Sequence, residues 1–190
     1  MIAPITFPES RTIETRDLRL RPIVASDADD YFALCSDPDV MRSWGTPVHN
    51  TIDDTRSLII LLDTAFRAGT MVRWAVTEKG RDQVIGDVGY WRFVKERYRA
   101  EIGAKLAKRY WNRGYMTQSL RAVIAFGFDE MNLHSIEGNL DPRNASSRRM
   151  LEKVGFEREG IIREHMLDLE SGTFRDTELF SVINGRWRNG

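Results

Sequence analysis

The stretch Arg109-Tyr110-Trp111-Asn112-Arg113-Gly114-Tyr115-Met116-Thr117 is the most informative part of this chain, a junction at which a strand-like run gives way to a helical pattern. Residues 100–107 (AEIGAKLA) read as a strand, and apolar residues recur at helical spacing after Gly114. A helix that begins there points its unpaired amides and the positive end of its dipole back toward the turn. Both favour an anion, and a glycine lets a ligand approach the backbone closely. The junction therefore predicts a phosphate-binding site.

Hydrophobic periodicity predicts the other elements around this junction. Strands are expected near residues 18–23, 71–77, 84–94, 99–108, 134–140, 156–168 and 174–184. Helices are expected from Ser26, whose hydroxyl would cap the first one, from near Thr51 to Gly69, at 114–130 and at 144–154. Strands and helices alternate in the second half, while hairpins lie at the middle and the end. This order predicts an α/β fold with a mixed sheet of about seven strands and helices on both faces.

Composition excludes several classes of protein. A chain of 190 residues that is 42% hydrophobic suits one domain, spanning residues 1–190. Its formal net charge is zero, so no global field attracts nucleic acid or an acidic membrane. The longest apolar run, residues 58–62, cannot span a bilayer, and the N-terminus lacks a signal-peptide pattern. Cys35 is the only cysteine, which fits a reducing, cytoplasmic location. The three histidines lack metal-ligand spacing, so no metal is expected.

The anion site can be assigned residue by residue. A pyrophosphate needs several amides that converge on one point and a nearby cation. The amides would come from Gly114, Tyr115 and Met116, and the charge from Arg109 or Arg113. An ordinary strand-to-helix turn with solvated arginines is the alternative.

Five separated segments resemble the GNAT superfamily of acetyl-CoA-dependent N-acetyltransferases. Residues 111–116 lie where that family carries a Gln/Arg-x-x-Gly-x-Gly/Ala loop; Trp111 and Met116 depart from the loop and resemble the RimJ/RimL-like branch, which acetylates ribosomal-protein N-termini. Residues 141–147 (DPRNASS) and 151–156 (LEKVGF) are similar to the family's Asn-x-x-Ser and Leu-Glu-Lys-x-Gly-Phe segments. Residues 14–21, 159–163 and 176–180 are similar as well, so the resemblance covers almost the whole chain.

This resemblance implies a GNAT-like domain with a mostly antiparallel sheet, in which predicted strands four and five are parallel and coenzyme A lies between them. It implies acetyl-CoA as co-substrate and a set of cofactor-binding residues: Lys105, Leu106, Arg109, Trp111, Asn112, Arg113, Gly114, Tyr115, Met116, Thr117, Asn144 and Ser147. A free amide near Gly103 and Ala104 would polarise the thioester carbonyl, although the glycine can also be purely structural.

Two residues are the catalytic candidates. Ser147 would protonate the leaving thiolate, or it is a plain helix-capping residue. Glu101 would take a proton from the amine, or it is a surface ion-pair partner of Arg99 and Lys105. Tyr110 and Tyr115 are weaker candidates for the acid, because either ring can simply pack.

The acceptor is the least determined part of the reaction. An α-amino group, with a pKa of about 7.7 to 8.0, is partly neutral at pH 7, whereas a lysine with a pKa of about 10.4 is almost entirely charged. A protein or peptide N-terminus is therefore the expected acceptor, attacked directly in a ternary complex. The alternatives are a small amine (a polyamine, amino acid or antibiotic) and a catalytically silent acetyl-CoA-binding module. The chain is expected to be a monomer or homodimer.

Overall fold

A computed structural model describes residues 3–8, 12–42, 44–168 and 171–187. The strands are β1 (Ile13–Glu14), β2 (Leu18–Pro22), β3 (Val72–Glu78), β4 (Val84–Val94), β5 (Arg99–Leu106), β6 (Ser135–Leu140), β7 (Glu157–Leu167) and β8 (Phe174–Ile183). The helices are α1 (Ala28–Cys35), α2 (Pro38–Met41), α3 (Ile52–Arg67), α4 (Tyr115–Asp129), α5 (Ala145–Lys153) and α6 (Asn184–Trp187).

The eight strands within these described residues form one sheet in the order β1-β2-β3-β4-β5-β6-β8-β7. Every neighbouring pair is antiparallel except β5 and β6, which are parallel. The predicted mixed α/β fold, its parallel pair and its seven longer strands are therefore confirmed. The remaining strand, β1, was not predicted, because its two residues are too few to show a periodic pattern.

Helices cover both faces of the sheet, because successive strand residues point to opposite sides. On one face, Trp74 and its strand neighbours pack with α4 and α5 in the larger core cluster. On the other face, Ala75 packs with α1 and α3 in a smaller cluster that also buries Cys35. The two helical layers hold β5 and β6 at the centre of the molecule.

The start of α1 differs from the prediction. Ser26 lies inside a short 3₁₀ turn, and α1 begins at Ala28. The carboxylate of Asp27 caps this turn instead, since it accepts a 2.8 Å hydrogen bond from the Val24 amide. The same carboxylate pairs with Arg21 at 2.8 Å. A carboxylate that satisfies both an amide and a guanidinium displaces the weaker serine hydroxyl from the capping role.

Candidate active site

The amino end of α4 is open. Gly114 has a φ of 78°, and among the described residues no side chain caps the helix that starts after it. The first helical hydrogen bond runs from the Gln118 amide to the Gly114 carbonyl oxygen, at 3.0 Å. The amides before Gln118 therefore have no acceptor within the helix. A Cβ placed on Gly114 would meet no atom within 4 Å, so the backbone is open on that side of the residue. This terminus has the geometry of an anion site.

Two guanidinium groups flank the same turn. Those of Arg109 and Arg113 lie 5.1 and 5.3 Å from the centre of the Tyr110 ring. The Tyr110 ring is buried and stacks on Tyr115 with a centroid distance of 6.2 Å. Within the described part of the chain, neither guanidinium has a carboxylate partner, whereas neighbouring Lys108 pairs with Asp39. Two uncompensated positive charges therefore stand beside the open helix terminus.

Hydrogen bonds on both sides fix the position of the turn. The indole nitrogen of Trp111 donates to the carbonyl oxygen of Leu106, at the end of β5, over 2.6 Å. In the first turn of α4, the side-chain oxygen of Gln118 accepts from the Asp17 amide at 2.9 Å, and its nitrogen donates to the Asp17 carboxylate at 3.0 Å. The turn is thus held between β5 and the β1–β2 connection.

Three predicted cofactor residues turn their side chains away from the turn. Leu106 and Met116 are buried in the core beneath α4. Lys105 points to the opposite face, where its ammonium lies 3.8 Å from the buried carboxylate of Asp87 and 5.0 Å from the centre of the Tyr31 ring. Alternation along β5 and the attraction of Asp87 explain this orientation. These three residues can reach a ligand only through their main chains.

The other predicted residues of the turn are placed differently. Trp111, Asn112, Arg113 and Gly114 are all exposed to solvent. Thr117 is half-buried in the first turn of α4. The Tyr115 hydroxyl donates to Glu78 at 2.8 Å, and this bond raises the pKa of Tyr115. Its proton is therefore already engaged, which makes Tyr115 a poor general acid.

The parallel pair of strands opens after three residues. Pairing between β5 and β6 ends at Glu101 and Glu137, although β5 continues to Leu106 and β6 to Leu140. The Ala107 amide donates a hydrogen bond to the Ile85 carbonyl oxygen of β4. Peptide groups alternate in direction along a strand, so those of residues 103 and 105 also face β4. Those of Ala104 face the other way, toward the space between β5 and β6. Of the two residues named from sequence, Ala104 therefore directs its amide into the opening, whereas the Gly103 amide faces β4.

The amino end of α5 borders the same opening. Parallel strands have their carboxyl ends at one edge of a sheet, so β5 leads into the α4 terminus and β6 into the α5 terminus at that edge. Asn144 caps α5: its side-chain oxygen accepts from the Ser147 amide at 3.1 Å and from the Ser146 hydroxyl at 2.9 Å. The Ser147 hydroxyl makes no such bond within the described residues, so it is free to donate elsewhere.

The carboxylates near the opening have partners that the sequence did not reveal. Glu101 is buried and pairs with Arg92 at 2.9 Å, and not with Arg99 or Lys105 as its flanking charges suggested. Arg99 instead pairs with Glu137 at 2.8 Å. Burial raises the pKa of Glu137; Arg99 opposes this effect, and the negative charges of Glu101 and Glu159 add to it.

A second buried charge cluster lies on the face of β5 that carries Lys105. Arg73 and Asp87 form an ion pair at 2.7 Å, and the Tyr31 hydroxyl also bonds to Asp87. The Arg73 guanidinium lies over the rings of Trp44 and Trp91, at 5.1 and 5.2 Å from their centres. The sequence analysis did not identify this cluster; the available signal was one charged residue within an apolar run of each strand, Arg73 within residues 72–76 and Asp87 within residues 84–91.

Residues 3–8, 12–42, 44–168 and 171–187 contain no group of three or more histidine, cysteine, aspartate or glutamate side chains arranged to hold a metal ion. None of their helices has both the length and the apolar character needed to cross a bilayer.

The sequence of the chain matches a known protein family. Residues 17–157 match the family model described as acetyltransferase (GNAT) domain. The uncharacterised N-acetyltransferase YoaA of Bacillus subtilis is 29% identical over 174 residues, which cover 92% of this chain and 97% of the relative. The [ribosomal protein uS5]-alanine N-acetyltransferase of Escherichia coli is more distant, at 23% identity over 131 residues, 68% of this chain and 66% of the relative.

Solved structures have the same fold. A GNAT-family acetyltransferase from Bacillus anthracis superposes with a TM-score of 0.81 at 26% identity, covering 92% of this chain and 99% of the other. Mycobacterium smegmatis RimJ, in complex with CoA-disulfide, superposes with a TM-score of 0.83 at 22% identity, covering 93% of this chain and 89% of the other. Members of this family take their acetyl group from acetyl-CoA. The chain therefore belongs to the GNAT acetyltransferase family and is an acetyl-CoA-dependent N-acetyltransferase.

Proposed function

We propose that this chain acetylates the N-terminal α-amino group of a protein or peptide. In this proposal the chain is a single domain and a RimJ/RimL-like member of its family. One observation carries the cofactor part of the proposal: the uncapped terminus of α4 lies beside the guanidiniums of Arg109 and Arg113, which have no carboxylate partner among the residues that the structure describes. In our assignment the pyrophosphate of coenzyme A rests on the amides of residues 114–117, with these arginines as counter-charges. Trp111 and Asn112 line the approach, and the pantetheine enters between β5 and β6.

The reaction we propose is direct attack by the amine on the thioester. The amide of Ala104 would polarise the acetyl carbonyl oxygen, since it is directed into the opening between the strands. The Ser147 hydroxyl would protonate the leaving thiolate, and Asn144 would hold the first turn of α5 in place. Glu101 would contact the acceptor amine from the neighbouring strand.

An α-amine is the proposed acceptor for chemical reasons. It reaches its neutral, nucleophilic form near neutral pH, which a lysine side chain does not. The similarity to the uS5-alanine N-acetyltransferase supports the same class, although that relative is only 23% identical.

The decisive experiment follows coenzyme A release with a thiol reagent across a panel of amines. The panel pairs a peptide that has a free N-terminus and no lysine with the same peptide blocked at its N-terminus and given one lysine, and it adds polyamines and free amino acids. We expect turnover with the free N-terminus. Turnover with the small amines and with neither peptide would show that the acceptor is a small amine and not a protein N-terminus. Thermal protection by acetyl-CoA without any turnover would identify a silent binding module, and a lack of protection would remove the cofactor assignment as well.

The role of Ser147 has a matched control in its neighbour. Ser147→Ala should lower kcat by about 10²-fold or more while leaving the affinity for acetyl-CoA nearly unchanged. Ser146→Ala removes a hydroxyl that is already bonded to Asn144, and it should leave kcat close to that of the wild type. Equal rates for the two variants would exclude Ser147 as the acid.

A further inference from the structure

The last pair of residues before β5 and β6 separate consists of two carboxylates. Glu101 and Glu137 are register partners on the final rung of the parallel ladder. Their neighbours on the preceding rung, Ala100 and Ile136, are buried in the core beneath α4. Glu101 and Glu137 therefore both point to the opposite face, at the mouth of the opening between the strands.

A third acceptor group lies next to this pair. Asn139 follows Glu137 by two residues on β6, so it occupies the same face in the part of β6 that no longer pairs with β5. Its side-chain oxygen is buried and has no hydrogen-bond partner within the described residues. Buried amide oxygens are almost always hydrogen-bonded, because leaving one unpaired costs free energy. This oxygen therefore needs a donor from a ligand or from solvent.

The two carboxylates stand in different surroundings. Glu101 is held by Arg92 at 2.9 Å. Glu137 is held by Arg99 of β5 at 2.8 Å and also feels Glu101 and, from β7, Glu159, which bonds to the Ser181 hydroxyl of β8. Burial and the two neighbouring negative charges raise the pKa of Glu137 against the opposing effect of Arg99. A carboxylate with a raised pKa binds a proton more readily, which suits a general base.

We propose that Glu101, Glu137 and Asn139 form the amine subsite of this acetyltransferase, and that Glu137 takes the proton from the incoming ammonium group. The assignment rests on the proposed function, and it moves the role of base from Glu101 to Glu137. Glu101 and the Asn139 side-chain oxygen accept the remaining N–H groups and hold the nitrogen in place.

The proton balance of this step is complete. One N–H bond of the ammonium breaks, its electron pair stays on nitrogen, and the proton moves to the Glu137 carboxylate. The neutral amine then bonds to the acetyl carbon as the carbon–sulfur bond breaks. The thiolate takes its proton from the Ser147 hydroxyl, and Ser147 regains one from the second N–H bond that the nitrogen loses. Glu137 finally releases its proton to solvent.

The pH dependence of kcat/KM tests this assignment. With Glu137 as base, the reactive pair is an ionised carboxylate and a charged amine, so kcat/KM of the wild type rises through the pKa of Glu137. Because the pKa of Glu137 is raised, that limb lies above the ordinary glutamate pKa of about 4.3. In Glu137→Gln only amine that is already neutral can react. The acidic limb should then move up to the pKa of the amine, about 7.7 to 8.0 for a peptide N-terminus.

The size of the loss should depend on the amine. At pH 7, Glu137→Gln should lower kcat/KM about tenfold for a peptide α-amine, because about one molecule in ten is neutral. For an acceptor with a lysine-like amine the loss should be on the order of a thousandfold. Asn139→Leu, which keeps a similar volume without the oxygen, should raise KM for the amine and leave the pH limb where it is.

Two further variants separate a chemical role from a structural one. Glu157→Gln removes an exposed carboxylate of β7 that pairs only weakly with Arg186, at 3.5 Å, and it should leave both the limb and KM unchanged. Glu159→Gln removes a negative charge that raises the pKa of Glu137, so it should move the wild-type limb to lower pH.

The result that overturns the proposal is a Glu137→Gln enzyme with the wild-type pH limb, or one whose loss is the same for all amines. Such a result leaves the proposed function standing, because the wild type still acetylates the amine. If the wild type itself turns over no amine, the proposed function fails and the subsite fails with it. Retained thermal protection by acetyl-CoA shows that each variant is folded and still binds its co-substrate.

Discussion

The indole nitrogen of Trp111 donates a 2.6 Å hydrogen bond to the carbonyl oxygen of Leu106, and this bond ties the proposed pyrophosphate turn to the end of β5. The strand supplies the proposed oxyanion amide, and the turn supplies the proposed phosphate amides. Because the Trp111 ring bonds the turn to the strand, it keeps the spacing between these two sets of amides fixed. A fixed spacing suits an extended ligand that contacts both sets. Trp111 is 41% exposed, so its ring also borders the approach to the turn.

Trp111→Phe removes the donor and keeps an aromatic ring. A neutral hydrogen bond contributes about 1 kcal/mol, so we expect acetyl-CoA to bind up to about fivefold more weakly, as measured by calorimetry. Trp187→Phe is the matched control, since Trp187 donates a similar 2.9 Å bond to the Val154 carbonyl oxygen away from the turn. It should cost comparable stability without changing affinity. Equal affinity losses in both variants would contradict a role for Trp111 in the turn.

Gly114→Ala should weaken acetyl-CoA binding and destabilise the fold. An alanine at a φ of 78° is strained by roughly 1 kcal/mol, although its Cβ meets no protein atom. Gly80→Ala is a close control, because Gly80 has a φ of 77° and equally open surroundings in the β3–β4 hairpin. We expect similar losses of unfolding free energy in urea for the two variants, and a loss of affinity only for Gly114→Ala. If affinity is lost in neither, the turn does not contact the cofactor.

Replacing Arg109 or Arg113 should weaken acetyl-CoA binding, because each guanidinium is a proposed counter-charge to the pyrophosphate. Each glutamine variant should bind acetyl-CoA several-fold more weakly at low salt, and the deficit should shrink at high ionic strength, because exposed charges are screened. S-acetylpantetheine has no pyrophosphate, so its kcat/KM should be the same in wild type and variants. Arg163→Gln, on exposed β7, serves as the control for a change in net charge. A loss of kcat/KM with S-acetylpantetheine as large as the loss with acetyl-CoA would show that these arginines do not act on the pyrophosphate.

Asp141 should make stability depend on pH in the acid range. Its pKa is lowered to about 2, chiefly by hydrogen bonds from the Arg143 side chain. An unfolded aspartate titrates at about 3.9, so this stabilisation is present above that value and is lost as the pH falls toward 2. After allowance for its solvent exposure, Asp141→Asn should cost about 1 kcal/mol near pH 7, or about 2–4 °C in Tm.

The same comparison at low pH gives the contradicting outcome. Near pH 2 most of the difference between wild type and Asp141→Asn should be gone, because the wild-type carboxyl group is then about half protonated in the folded state and almost fully protonated in the unfolded state. Asp63→Asn is the control: Asp63 pairs with Arg67 at 2.8 Å on an exposed face of α3, and it should change Tm little at any pH. A Tm difference for Asp141→Asn that does not change with pH would show that charge is not its cause.

Local features of the sequence determined much of this molecule. A glycine before an amphipathic run sets the open terminus of α4, and an asparagine three residues before a serine sets the cap of α5. Both are contacts between residues near in sequence, so their chemistry can be read from spacing alone. Periodicity likewise identified the seven longer strands, because each buries one or both faces over several residues.

Tertiary structure alone decided which charges meet. Asp87 and Lys105 lie together because β4 and β5 pair in one register, and Glu101 meets Glu137 because β5 and β6 run parallel for just three residues. The flanking charges of Glu101 pointed instead to Arg99 and Lys105. Partner choice across a sheet depends on register between strands distant in sequence, and a shift of one residue would send every side chain to the other face. The helix terminus at Gly114 could therefore be predicted from residues that are adjacent in sequence, whereas the carboxylates at the opening between β5 and β6 follow from the register of the folded sheet.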